Sequence, residues 1–153
     1  MKIRSMTIPN LDRDGFLPEG VHECSLVELE QQFGRFQRSD RRSALFAKFV
    51  EYLGEVRASG LATFVIVDGS FVTAKPEPND IDLVLVLSAT HDLTAELRPF
   101  EYNALSRRMV RKRYGFDLLS ARAGSQELDE YIEFFQQVRG DPGRRKGLLR
   151  VLP

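Results

Sequence analysis

The chain has 153 residues, enough for one domain and too few for two comfortable ones. It is 42% hydrophobic, 29% charged and 10% aromatic, the balance of a folded soluble protein. Its 22 Lys and Arg offset 22 Asp and Glu, which excludes a polybasic nucleic-acid coat and an acidic tail, and the apolar content excludes a disordered polyampholyte poor in apolar residues.

The first residues, MKIRSMTIPNLDRDG, are too polar for a signal peptide. Turn formers (Pro9, Asn10, Gly15, Pro18, Gly20) make residues 1–24 read as a loop-rich arm on a single domain spanning 1–153. Cys24 is the only cysteine, so no internal disulfide or cysteine-based zinc cluster is available, and it reads as an inert thiol. No apolar stretch approaches the ~20 residues of a membrane helix. The expected location is the cytoplasm, away from membranes.

Ser25-Leu26-Val27-Glu28 has the form of a capping box and predicts a short helix to about Phe33. Ser39 or Asp40 then caps a longer helix. Its apolar residues Leu45, Phe46, Phe49, Tyr52, Leu53 and Val56 fall at spacings of three and four, and it stops near Gly60. The period changes at Ala62–Val67, a β-branched and aromatic run that predicts a strand ending at Gly69-Ser70. Ser70 to Ala74 predicts a helical turn. Ile81–Leu87 is apolar on both faces after its second residue, as suits a central strand covered on both sides. Pro99 opens a helix through about Arg113, and Gly115–Leu119 reads as a third strand. Ser125 caps a helix carrying Leu128, Tyr131, Ile132, Phe135 and Val138. The tail Gly147–Leu152 reads as an edge strand. The order implies an α/β (α+β) layered domain.

The chemistry concentrates between Asp68 and Leu83. Asp80 and Asp82 are two apart on extended chain, so they project to one side from the start of an apolar strand. Unpaired carboxylates there are costly to desolvate, and a hard divalent cation such as Mg²⁺ removes that cost. A solvated loop edge is the plain alternative for Asp-x-Asp. Glycine at 69 lets the backbone approach a ligand closely, and the amides and hydroxyl at Ser70 suit phosphate oxygens. Lys75 either pairs with phosphate charge or stands solvated in its loop.

Strand, Gly69-Ser70, loop, Asp80-x-Asp82, apolar strand: this series resembles the DNA polymerase β-like nucleotidyltransferase superfamily, in particular its minimal single-domain members. The resemblance covers roughly residues 40–120. It implies a mixed central sheet flanked by helices and a third carboxylate on a later strand, for which Asp117 is the natural position. Asp80, Asp82 and Asp117 would hold two Mg²⁺ ions (or Mn²⁺), and Gly69, Ser70 and Lys75 would hold a nucleoside triphosphate. The implied reaction moves a nucleoside monophosphate to an acceptor hydroxyl on a protein, an RNA end or a small molecule. The alternative is an inactive binding module of the same fold, such as the antitoxin or regulatory half of a toxin–antitoxin or phage-defence pair. Minimal members often begin the loop after Gly-Ser with a basic residue, where this chain has Phe71-Val72-Thr73. A domain this small also suggests that a partner chain or self-association completes the site.

Other features read as structural or ambiguous. His22 and His91 belong to no metal spacing. Arg107, Arg108, Arg111, Lys112 and Arg113 either favour a helix C-terminus or contact an anionic ligand, and Arg144-Arg145-Lys146 carries the same choice. Phe134-Phe135 reads as core or interface packing. The neutral total conceals blocks: residues 61–97 carry six acidic groups against one basic, and residues 98–113 one acidic against six basic. An acidic centre flanked by basic segments suits a metal–triphosphate site.

Overall fold

Five strands, β1 (Gly20–Cys24), β2 (Ala62–Asp68), β3 (Asp82–Leu87), β4 (Asp117–Arg122) and β5 (Gly147–Val151), form one sheet in the order β1-β5-β2-β3-β4. They are seen in a computed structural model that describes residues 8–35 and 38–153. β1–β5 and β3–β4 are parallel pairs, while β5–β2 and β2–β3 are antiparallel. The helices are α1 (Leu26–Phe33), α2 (Arg41–Ser59), α3 (Tyr102–Leu105), α4 (Arg107–Tyr114) and α5 (Gln126–Phe135). The fold is α/β with a mixed sheet.

Alternation along the strands divides the core in two. Val65, Val67, Leu83, Leu85, Leu118 and Leu149 face one side, where Phe33 of α1, Phe49 and Leu53 of α2 and Val110 of α4 cover them. Ile66, Val84, Val86, Ala121 and Leu148 face the other and meet Leu128, Ile132 and Phe135 of α5. The apolar run in β3 is thus explained by cover on both faces.

Helix starts follow the capping signals. Glu28 N donates to Ser25 Oγ at 3.1 Å, and Ser25 N donates to Glu28 Oε1 at 3.2 Å. Leu128 N donates to Ser125 Oγ at 3.1 Å. Asp40 occupies the cap of α2 without a side-chain cap bond, while Ser39 Oγ accepts from Arg41 N at 3.2 Å.

Several boundaries differ from expectation. The helix from Pro99 to Arg113 is broken: a 3₁₀ turn at Pro99–Glu101 and the short α3 precede Ser106, whose extended backbone (φ −76°, ψ 113°) starts α4 afresh. Ser106 Oγ accepts from Met109 N, so a cap inside the segment outweighs its helical pattern. The third strand begins at Asp117, after Gly115 turns at φ +79°, and runs on to Arg122. α5 ends at Phe135, short of Val138, because Gln136 O accepts from Lys146 N at 2.8 Å and Gln137 pairs with Arg145. The turn after Gly69 spans only Ser70–Val72, since Thr73 is extended.

The 1–24 arm and the tail are corrected further. Residues 1–7 lie outside the described residues, but Gly20–Cys24 is a strand, and β5 lies between it and β2 instead of at an edge. Five residues alternating with His22 and Glu23 give a weak strand signal, and the partner that makes them a strand is distant in sequence. The close approach depends on Gly147, where a Cβ would sit 2.0 Å from Pro18 O. Arg144 ties the rest of the arm down through Asp12 at 2.6 Å and Asp14 at 2.9 Å. No helix among the described residues is long and apolar enough to cross a membrane.

Candidate active site

The sheet register brings three carboxylates into one row. Asp68 ends β2 opposite Asp82 at the start of β3, and Asp82 is opposite Asp117 at the start of β4. Cross-strand partners share a face. Asp68, Asp82 and Asp117 follow the alternation of Ile66, Val84 and Leu119, so they lie on the α5 side of the sheet.

Asp80 joins the row through the Gly69–Ser70 turn. Gly69 has φ +99° and ψ 178°, a region essentially confined to glycine. A Cβ there would meet Asp80 O at 2.8 Å, so the two loops touch backbone to backbone. Ser70 N donates to Asp80 Oδ1 at 2.8 Å, and Ser70 Oγ donates to the same oxygen. Ser70 Oγ in turn accepts from Asn79 N at 3.0 Å. Serine at 70 therefore organises the Asp80 loop in this structure.

Behind the turn stands Arg42, on α2 and only 1% exposed. Its Nη1 donates to Phe71 O at 2.7 Å and Phe33 O at 3.2 Å, and its Nη2 donates to Thr73 O at 2.7 Å and to Lys75 O. One guanidinium thus gathers the carbonyls of the whole 71–75 segment. Sequence reasoning missed it, although Arg42, Phe46, Phe49 and Leu53 share helical spacing and put Arg42 on the apolar face.

Electrostatics differ along the row. Burial first, then the charges of Asp80, Asp68 and Asp117, push the Asp82 carboxyl up to about 6, with Lys146 pulling the other way. Burial also raises Asp80, but hydrogen bonds from the Ser70 hydroxyl and amide outweigh it and leave the group below its ordinary value. Burial holds Asp68 above its ordinary value even though Lys146 Nζ stands 2.9 Å from Oδ1. That oxygen is buried and gains a charge contact from the lysine without an aligned hydrogen bond. Asp117 is paired with Arg111 on the exposed rim.

Of the expected set, Gly69, Ser70, Lys75, Asp80, Asp82 and Asp117 all line one cleft of about 1480 Å³. Asp68, to which the sequence assigns nothing, and Lys146, read there only within the Arg144-Arg145-Lys146 cluster, are also on its wall. An Asp closing an apolar strand just before Gly-Ser was the signal for the first, but the second needs the sheet order. Among the described residues, no three His, Cys, Asp or Glu side chains are gathered as a group that could hold a metal ion. Ser70 binds Asp80, Arg111 pairs with Asp117 and Lys146 with Asp68. The donor set nevertheless fits a hard cation. It is all carboxylate oxygen, and a divalent ion would offset both the burial and the repulsion that raise Asp82.

The remaining candidates resolve simply. Burial pushes the Cys24 thiol up to about 12, consistent with an inert residue. His22 Nε2 lies 2.7 Å from Pro18 O in a local turn. Arg113 pairs with Glu51 and Glu55, and Arg145 with Glu19 and Glu133, whereas Arg107 lines the cleft.

The profile of a family of unknown function, DUF6932, matches residues 9–152. The chain belongs to this family. No curated protein and no solved structure matches the chain.

Proposed function

We propose that the chain is a metal-dependent nucleotidyltransferase in which an acceptor hydroxyl attacks the α-phosphorus of a nucleoside triphosphate. A phosphodiester to the nucleoside monophosphate forms as the α–β phosphoanhydride bond breaks and pyrophosphate and the hydroxyl proton leave. The observation that carries this reading is the row Asp68, Asp82, Asp117 with the Gly69–Ser70 turn locked against Asp80. A mixed sheet flanked by helices is the coarse fold class that the resemblance in the sequence implies.

In this reading Asp80, Asp82 and Asp117 would hold Mg²⁺, with Arg111 as the present partner of Asp117. A bound Mg²⁺ would neutralise triphosphate charge and lower the pKa of the attacking hydroxyl. Gly69 would let the backbone approach the phosphates, and Ser70, whose amide and hydroxyl here bind Asp80, would be the donor to them. Lys75 and Lys146 add positive charge at the cleft wall. Positioning and charge neutralisation supply the rate, as in phosphoryl transfer generally. The cleft exceeds the roughly 300–1,000 Å³ of ordinary ligand pockets, which leaves room for part of an acceptor.

The second reading is a binding module of the same fold that acts on a partner by contact, as one half of a toxin–antitoxin or defence pair. Arg111 and Lys146 favour it, because both neutralise carboxylates without a metal. Calorimetric titration with Mg²⁺ and ATP separates the two. The enzyme reading expects nucleotide binding that requires Mg²⁺ and disappears in Asp82→Ala. No binding at millimolar nucleotide favours the module.

A further inference from the structure

α5 packs over the same sheet face that carries the carboxylate row. Leu119, two residues beyond Asp117, packs in one cluster with Ile132 and Phe135. The preceding ring, Phe134, takes no part in that cluster and is 65% exposed. It lies 5.7 Å from the Phe135 ring centroid at 58°, and both rings line the cleft that contains Gly69 and Asp82.

The cleft lining therefore carries two chemically different features. One gathers carboxylates with a glycine–serine turn, and the other presents an exposed flat apolar ring. A single ligand that satisfies both must join an anionic, cation-binding part to a flat aromatic part. We propose that Phe134 is the stacking platform for the base of a nucleoside triphosphate whose phosphates lie at Gly69–Ser70. The inference rests on the nucleotidyltransferase reading and extends it to the mode of base binding. Every base has a face to stack, so such a platform accepts all four and favours the larger purines. An aromatic side chain of a protein acceptor is the competing occupant of that ring.

The test is calorimetry on the full chain and on Phe134→Ala and Phe134→Tyr, in Mg²⁺ with either ATP or inorganic tripolyphosphate. The exposed position of the ring keeps the fold, which thermal melting verifies. Stacking predicts that Phe134→Ala weakens ATP binding about tenfold, leaves tripolyphosphate binding unchanged, and is rescued by tyrosine. Unchanged ATP affinity in Phe134→Ala, or an equal loss for tripolyphosphate, overturns the base site while leaving the enzyme reading standing. Failure of the unsubstituted chain to bind either ligand overturns both.

Discussion

Lys146 Nζ stands 2.9 Å from Asp68 Oδ1, with side-chain exposures of 17% and 5%. The contact joins the start of β5 to the end of β2 and places a fixed cation beside the carboxylate row. Breaking such a pair from one side leaves a buried charge alone, which costs about 3–5 kcal/mol. Lys146→Met is therefore expected to lower the urea-unfolding free energy at pH 7 by that amount. Adding Asp68→Asn should restore most of it. A single variant as stable as the parent contradicts the role given to the pair.

Asp82 gives a pH dependence whose sign is fixed. Its carboxyl is raised to about 6 in the folded chain against 3.8 as its ordinary value. The folded state thus holds the extra proton between those values, and stability falls as pH rises through that window. Thermal melting in EDTA should show the metal-free chain less stable at pH 7 than at pH 5 from this group. Asp82→Asn should remove that component of the slope. Mg²⁺ binding should run the opposite way and weaken as pH falls below about 6.

Arg42 is expected to matter through the loop it holds. Arg42→Met deletes the donors to Phe71, Thr73 and Lys75 carbonyls and should cost about 3 kcal/mol, since bonds to a charged donor are the strong ones. Arg42→Lys, with one ammonium for four carbonyls, should recover part of this. Chemical denaturation distinguishes the three chains.

Gly69→Ala places a methyl group 2.8 Å from Asp80 O and forces a side chain into φ +99°. The strain is about 1–3 kcal/mol, and relief requires the Asp80 loop to move. Nucleotide binding should be lost in a variant that still melts cooperatively. Retained binding would show that the contact between the two loops is not needed.

Arg111→Ala frees Asp117 from its exposed partner. Such pairs are worth about 0–1 kcal/mol, so the melting temperature should barely change. Mg²⁺ affinity should rise about two- to fivefold, because the carboxylate loses a competing cation. Calorimetry with Mg²⁺ alone measures it.

The readable part of this molecule was local. The uncharged run after Asp82 predicted a strand covered on both faces, and Gly69-Ser70 and Asp80-x-Asp82 marked the loops that meet in the cleft. What escaped depends on partners distant along the chain. Gly20–Cys24 becomes a strand only beside Gly147–Val151, and Lys146 reaches the carboxylates only because β5 pairs with β2. Ser106 shows the other failure, a good N-cap buried in a segment whose composition reads as continuous helix. Phe134 and Phe135 read alike, because a sequence does not show which of two adjacent rings a helix leaves uncovered.

The most direct test of the central claim is label transfer from nucleoside triphosphates in Mg²⁺, with and without cell lysate, using α- and γ-labelled substrate in parallel. The account predicts that the α label becomes attached to an acceptor, that the γ label does not, and that Asp82→Ala abolishes the transfer while melting as a folded protein. Transfer undiminished in Asp82→Ala, or no Mg²⁺-dependent labelling with any of the triphosphates, would contradict it.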